Sequence, residues 1–176
     1  MPTPEKTSFA EIVAAGRDLL EKGGPQGLTM QSVAERVGVR APSLYKRVGN
    51  RAALLAAVAE ATIDDLAARL ESTDRSLEGL ARGYRRFAHE WPAGFRLMLS
   101  VDSPPEILGR AAAPILDASR AFVDESDVLN AARLIVAWAN GFIGMELLGA
   151  FHLGGDVDEA FEYGLAGIRR ALTKDS

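Results

Sequence analysis

The residues best suited to chemistry lie close together between Val37 and Leu55, where the sequence reads VGVRAPSLYKRVGNRAALL. The cationic and aromatic side chains of this stretch are Arg40, Tyr45, Lys46, Arg47 and Arg51. Ammonium and guanidinium groups pair with phosphate oxygens, and the guanidinium fork also matches two acceptors on the edge of guanine. The stretch therefore indicates recognition of a nucleic acid rather than bond-breaking chemistry.

The distribution of charge supports this interpretation, although the chain as a whole carries a net charge of −4. Residues 1–51 hold eight Lys or Arg and five Asp or Glu, a net of +3. Residues 52–176 hold twelve and nineteen, a net of −7. A basic head on an acidic body fits a protein that contacts phosphate at one end only.

Two short crossed helices are predicted to carry the cations. Thr29 is the predicted cap of a helix that runs through Val37, and Gly38 suits a residue at positive φ. Pro42 fits the first turn of the next helix, where its missing N–H is not needed. The small side chain of Ala34 lets the second helix cross closely. This pattern is typical of a helix-turn-helix.

In such a unit the amino-terminal residues of the second helix face base edges in the major groove. These residues are predicted to be Arg40, Ala41, Pro42 and Ser43. The residues predicted to contact flanking phosphates are Tyr45, Lys46, Arg47, Arg51 and, at a helix amino terminus, Thr29. From the residues alone, a second interpretation stays open, because glycine-linked helix pairs and solvated clusters of Arg and Lys occur in many helical proteins.

The segment LTMQSVAERVGVRAPSLYKRVGNRAALL resembles the DNA-binding head of TetR-family transcriptional repressors. With the preceding helix, the resemblance covers about residues 8–58. The residues that fall on the family pattern are Leu28, Thr29, Ala34, Val37, Gly38, Val39, Leu44, Tyr45, Asn50, Arg51 and Leu54. The chain departs from the pattern at Arg47 and Val48, where the family often has His or Tyr followed by Phe, so the resemblance does not transfer the operator sequence.

The whole chain is predicted to be all-α, with about nine helices, a helix-turn-helix head at residues 1–50 and a body at residues 51–176. Alanine and leucine are abundant, and no pair of strands is apparent. The helices outside the helix-turn-helix are predicted at about 9–23, 51–71, 77–90, 92–100, 104–124, 127–151 and 157–172.

The resemblance implies that the body binds a small, largely apolar molecule and forms a homodimer through its last two helices. Gly141 and Gly144 share a helix face, which favours close approach of another helix, from the same chain or from a partner. The last helix carries an apolar stripe that could complete a bundle; its members are Phe161, Leu165, Ile168 and Leu172.

The predicted ligand pocket combines large apolar side chains with a few polar atoms. Its members are Phe87, Trp91, Phe95, Met98, Phe122, Trp138 and Asn140. Any one of these aromatic residues could equally be part of the core. Glu146 lies in an apolar helix and must be exposed, paired or functional, because burying a lone carboxylate is costly. The segment around Trp138 partly resembles a TetR subgroup marked by a Trp-His-Gly signature, with Asn140 at the histidine position.

Other functional classes find little support. The chain has no cysteine, no GxSxG, no HExxH and no phosphate-binding glycine loop, so no enzyme, metal site or cofactor is predicted. No run of 18 uncharged apolar residues and no leader are apparent, which favours a cytoplasmic protein. The sequence thus predicts a ligand-responsive repressor that binds a palindromic DNA operator as a homodimer. The alternative is a helical ligand-binding or scaffold protein that does not contact DNA.

Overall fold

The computed structural model describes residues 7–173, and over these residues the chain is all-α, as predicted. The described part contains nine α-helices and one short 3-10 helix, Glu125–Asp127. The α-helices are α1 Phe9–Gly27, α2 Met30–Arg36, α3 Ala41–Val48, α4 Arg51–Glu71, α5 Leu77–Glu90, α6 Pro92–Ser100, α7 Pro105–Ser119, α8 Val128–Leu147 and α9 Val157–Leu172.

Local capping chemistry sets most helix starts where the sequence predicts them. At the start of α1, Ser8 and Glu11 form a capping box in which each side chain accepts from the other residue's backbone N–H. Asn50 accepts from the backbone N–H of Ala53 at 2.9 Å and so caps α4. Each cap satisfies backbone donors that have no partner inside the helix.

Three helix ends differ from the prediction. The helical hydrogen bonding of α1 continues to Gly27 across a kink at Gly24, whose φ is +63°. Helix α7 ends at Ser119 rather than near residue 124. Helix α8 ends at Leu147 rather than near residue 151, because Gly149 takes a φ of +63° and Ala150 N donates to Met145 O at 2.9 Å. This last pattern closes the helix with the carbonyl caps that a left-handed glycine permits.

The described residues form two compact units. The first contains the described residues through Asp65 together with Trp91–Leu108. Its core is built from α1 to α4 and α6, and the fully buried members include Ile12, Leu20, Leu28, Val33, Leu44 and Leu54. Helix α1 also caps α6, because the Glu21 carboxylate accepts from the backbone N–H groups of Ala93 at 3.1 Å and Gly94 at 2.6 Å. This core fixes the angle between the short helices α2 and α3.

The second unit contains Leu66–Glu90 and the described residues from Gly109 onward. Phe161 of α9 is fully buried there, with its ring centroid 5.2 Å from that of Trp138 and 5.3 Å from that of Phe142. The predicted stripe on α9 is therefore committed to its own chain, since Leu165 and Leu172 are buried as well. The prediction that this stripe completes an intermolecular bundle is wrong for Phe161, Leu165 and Leu172, because their side chains are buried within their own chain.

Helix α8 has an unusual surface. The segment Glu125–Leu147 is long and apolar enough to cross a membrane by length and composition alone, and one third of its most apolar 18-residue stretch is buried. This is weak evidence for a span, since buried helices of water-soluble proteins pass the same test. Its exposed apolar residues include Leu129, Leu134, Val136 and Met145. Leu134 and Met145 share one side of the helix, and Leu129 and Val136 share another. Exposed apolar surface of this kind is typical of an interaction site.

Candidate nucleic-acid interface

The turn between α2 and α3 has the tight geometry of a helix-turn-helix. Gly38 takes a φ of +70°, a region that glycine enters without steric cost. Its N–H donates to Glu35 O at 3.2 Å, and the N–H of Val39 donates to Ala34 O at 2.9 Å. Ala34 is 2% exposed, so the small side chain lies at the crossing, as predicted.

Helix α3 divides cleanly into an inner and an outer face. Leu44 is fully buried and Val48 is 7% exposed, and both belong to the core of the first unit. Arg40, in extended conformation, is the N-cap of α3, and Pro42 lies in its first turn. The outer face carries the exposed residues Arg40, Pro42, Ser43, Tyr45, Lys46 and Arg47, whereas Ala41 is half-buried.

Two of the cations on this face are available to a partner. Within the part of the chain that the structure describes, Arg40 and Lys46 are exposed and make neither an ion pair nor a side-chain hydrogen bond. The nearby ion pair of α2, from Arg36 to Asp18 of α1 at 3.0 Å, does not involve them. The outer face of α3 therefore carries two exposed cations that form no ion pair within the described residues 7–173.

Arg47 and Arg51 are exposed but also bind the protein's own backbone. Arg47 donates to the carbonyl oxygen of Thr7 at 2.5 Å. Arg51 Nε donates to Leu28 O at 2.9 Å, and one of its terminal nitrogens donates to Pro25 O. Arg51 thus ties the connection between α1 and α2 to the first turn of α4, a structural role that the sequence did not reveal. A guanidinium has five N–H donors, so these bonds leave donors for a phosphate.

Thr29 caps α2 through a reciprocal pair with Ser32. Its hydroxyl accepts from the Ser32 N–H at 3.0 Å, and its own N–H donates to the Ser32 hydroxyl at 3.0 Å. The predicted cap is therefore present, with Ser32 in place of the usual Glu or Gln. Thr29 is exposed, and its contact with phosphate stays a prediction.

The seven residues predicted to line a ligand pocket are divided between the two compact units. Trp91, Phe95 and Met98 belong to the first unit, where the guanidinium of Arg17 lies 5.0 Å from the centre of the Trp91 ring. The other four belong to the second unit; they are Phe87, Phe122, Trp138 and Asn140. Phe87 is fully buried under the guanidinium of Arg69, 5.3 Å away, and Phe122 and Trp138 are half-buried. Their contact with a ligand stays a prediction.

A half-buried polar pair that includes Asn140 was missed in the sequence. The Tyr84 hydroxyl of α5 donates to Asn140 Oδ1 of α8 at 2.6 Å. Burial raises the pKa of the Tyr84 phenol well above its ordinary value, so the group stays a neutral donor. The two residues are 56 positions apart, and no local pattern links them.

Glu146 is paired with basic side chains. Of the three alternatives that the sequence left open (exposed, paired or functional), the structure shows the second. Its side chain is 12% exposed and binds Arg85, with Nε 2.9 Å from Oε2, and His89, with Nε2 3.1 Å from Oε2. Burial alone would raise the pKa of Glu146, but the hydrogen bonds from Arg85 and His89 outweigh burial and lower it. The carboxylate is therefore ionised near neutral pH and holds α5 against α8.

Comparison with known proteins agrees with this geometry. Residues 12–58 match the family model described as bacterial regulatory proteins of the tetR family, and residues 77–168 match a tetracycline-repressor-like C-terminal domain. A class A tetracycline repressor from Escherichia coli is 31% identical over 157 residues, covering 85% of this chain and 73% of the relative. A helix-turn-helix regulator of Mycobacterium tuberculosis is 28% identical over 159 residues, covering 83% and 73%.

Among solved structures, a TetR variant from Acinetobacter baumannii in complex with minocycline is 25% identical to this chain. The structural match covers 96% of this chain and 99% of the Acinetobacter chain, with a TM-score of 0.72. Sequence and fold thus agree over both the head and the body. This chain belongs to the TetR family of DNA-binding transcriptional regulators.

Proposed function

We propose that the protein is a cytoplasmic repressor, not an enzyme, that binds a palindromic operator as a homodimer and is released by a small, largely apolar molecule. The observation that carries the proposal is the exposed edge of α3, where Arg40 and Lys46 have no partner among the described residues. The head responsible is residues 1–50 and the body is residues 51–176.

Residues in the first turn of α3 and its N-cap contact the base edges. Arg40 binds O6 and N7 of a guanine through its guanidinium fork, and Ser43 binds a base or a phosphate. Ala41 and Pro42 supply apolar contact to a thymine methyl. The flanking phosphates are bound by Thr29, Tyr45, Lys46, Arg47 and Arg51.

The dimer forms through the open faces of α8 and α9. Leu134 is 45% exposed and Met145 47% exposed on α8, and Tyr163 is 77% exposed on α9. A Cβ added at Gly141 or Gly144 would meet no atom within 4 Å, so the backbone of α8 is open to close approach by another helix. A twin chain covers this apolar surface, which also accounts for a membrane-like hydropathy in a water-soluble protein.

In the second unit the proposed ligand contacts are Phe87, Phe122 and Trp138, with Asn140 as a polar contact. Asn140 is already oriented by Tyr84, which fixes its amide for recognition. The minocycline complex of the Acinetobacter relative supports an amphipathic, ring-containing ligand as the first class to screen. We also assign the body to the subgroup with the Trp-His-Gly signature, with Asn140 in the histidine position.

Selection of bound DNA from a random pool, with the full-length protein, tests the proposal. We expect an inverted repeat to be enriched. The Arg40→Ala variant should lose most of the enrichment, whereas Arg36→Ala, which removes an exposed arginine already paired with Asp18, should recover the same repeat. Failure of the wild-type protein to enrich any sequence would favour the alternative, a helical protein that does not contact DNA.

A further inference from the structure

The outer face of α5 carries a row of basic side chains that DNA recognition by the head does not use. Arg82, Arg85, Arg86 and His89 occupy positions i, i+3, i+4 and i+7, so they share one face of the helix. This row lies in the acidic part of the chain, residues 52–176, which has a net charge of −7.

Two concavities adjoin along this row, because Arg82 and Arg86 line both. We call them together the arginine groove. The larger has a volume of about 530 Å³ and the smaller about 350 Å³, each within the range of small-molecule sites. The other lining residues are Arg69, Ser72, Thr73, Asp74, Gly79, Gly83, Phe87, Arg85, His89, Glu146 and Asp158.

Glycine keeps one wall of the groove close to α5. A Cβ at Gly83 would lie 3.2 Å from Thr73 Cγ2, so the turn after α4 rests directly against the α5 backbone. Thr73 donates its hydroxyl to Leu70 O at 2.7 Å, which holds that turn in place. The wall is therefore a formed feature, lined by hydroxyl groups and backbone.

The arginines differ in how far they are already neutralised. Arg85 is 18% exposed and is bound by Glu146 and Asp158, so it is part of the structure of the unit. Arg82 binds Glu162 through two hydrogen bonds of 2.7 and 2.8 Å, but both side chains are about half exposed, at 55% and 46%. An exposed pair of this kind is weak and can be displaced.

Arg86 is the uncommitted cation of the groove. It is exposed and, over the residues that the structure describes, makes no ion pair or side-chain hydrogen bond. It lies one helical turn from Arg82, so two guanidinium forks can bind one tetrahedral anion. Asp74, whose carboxylate lies against Gly79 in the first turn of α5, disfavours a second anionic group in the ligand, because hydrogen bonds from Ser76 lower the pKa of its carboxyl and keep it ionised.

We propose that the arginine groove binds a small organic phosphate, with its phosphate group between Arg82 and Arg86 and its uncharged polar part toward Ser72 and Thr73. This site lies in the second unit and includes none of the residues proposed to bind DNA, but it shares Phe87 with the predicted aromatic pocket. The phosphate group of the ligand competes with the carboxylate of Glu162 for Arg82, and Glu162 lies on α9. Occupancy of the groove therefore changes the anchoring of α9 to α5.

Isothermal titration of the full-length protein with inorganic phosphate, without DNA and at fixed ionic strength, tests the site. We expect saturable binding of one anion per chain. Arg86→Ala should weaken binding by about tenfold, because it removes a charge-assisted, bidentate contact. The affinity of Arg86→Lys should lie between those of the wild type and Arg86→Ala, because lysine keeps the positive charge but lacks the guanidinium fork. The control is Arg120→Ala, which removes an arginine that lines neither concavity.

A second variant moves affinity in the opposite direction. Glu162→Gln should bind inorganic phosphate about two- to fivefold more tightly, because Arg82 no longer has a competing carboxylate. Absence of saturable binding, or equal affinity for wild type and Arg86→Ala, would overturn the proposal. So would loss of binding in Arg40→Ala with Arg86→Ala unaffected, since the anion would then lie on the head. Because the titration contains no DNA, its result does not depend on whether the protein represses transcription.

Discussion

Gly16 of α1 offers the sharpest test of how the head is packed. A Cβ at this position would lie 2.8 Å from Val58 Cγ2, closer than real Cβ atoms approach other carbons. Leu28 and Leu54 lie just beyond, with methyl carbons 3.5 and 3.7 Å away. All three neighbours are fully buried, so none can move into solvent to relieve the clash.

The expected cost of Gly16→Ala follows from two opposing effects. Alanine in a helix is more favourable than glycine by about 1 kcal/mol. Overpacking a buried site costs roughly 1–3 kcal/mol, and the Val58 side chain cannot easily rotate away because a helix strongly prefers one valine rotamer. The net expectation is a loss of about 0–2 kcal/mol in the free energy of unfolding.

Gly23→Ala is the matched control, since it lies on the same helix and is exposed. A Cβ at Gly23 would meet no atom within 4 Å, so only the helix preference of alanine acts there. The difference in unfolding free energy between the two variants should therefore be roughly 1–3 kcal/mol, with Gly16→Ala less stable. Urea denaturation at one protein concentration, followed by circular dichroism, measures it. Equal stability of the two variants would refute the close packing of α1 against α4.

Four further predictions concern DNA, the dimer and acid stability. Arg40→Ala should reduce discrimination at one half-site position by about 1–3 kcal/mol in competition binding assays; equal losses on random DNA would make it a backbone contact. Arg51→Ala should lower the salt slope of DNA binding by about 0.9; it should also cost about 1 kcal/mol of stability, because two backbone carbonyls lose their donor. An unchanged slope would remove Arg51 from the phosphate contacts. Leu134→Glu should convert dimers to monomers in sedimentation experiments, and a persistent dimer would exclude this face of α8. The native pKa of Glu146 is below its ordinary value of 4.5, so its stabilisation is present above that pH and is lost as the pH falls through the lowered native pKa. In Glu146→Gln the free energy of unfolding should fall less steeply as the pH is lowered, and an unchanged pH dependence would contradict the pairing.

The parts of the fold that the sequence predicted are those determined within a few residues. The cap formed by Ser8 and Glu11 and the cap formed by Asn50 each close over three positions, so their signals are visible in the sequence. The end of α8 was predicted four residues too late, because apolar periodicity continues past Gly149. Only the backbone conformation of that glycine ends the helix.

The parts that the sequence could not predict depend on distant partners. Arg85 and Glu146 are 61 positions apart, and Tyr84 and Asn140 are 56 apart. Their contacts follow from the packing of α5 against α8, which composition and spacing do not determine. The burial of the α9 stripe has the same origin: an apolar stripe predicts a buried face, but not whether the covering surface belongs to the same chain.

Arg51 shows why stability and DNA affinity are coupled in this head. Its guanidinium binds the carbonyls of Leu28 and Pro25 in the free protein, and the same group is proposed to bind a phosphate. Among the residues that the structure describes, the side chains of Arg40 and Lys46 make no hydrogen bond of this kind. Substitutions at these two residues should therefore alter DNA binding without altering the unfolding free energy, whereas substitution of Arg51 should alter both. A change in the position of the α1–α2 connection should move Arg51, and with it one proposed phosphate contact, without acting directly on Arg40 at the proposed base-reading edge of α3.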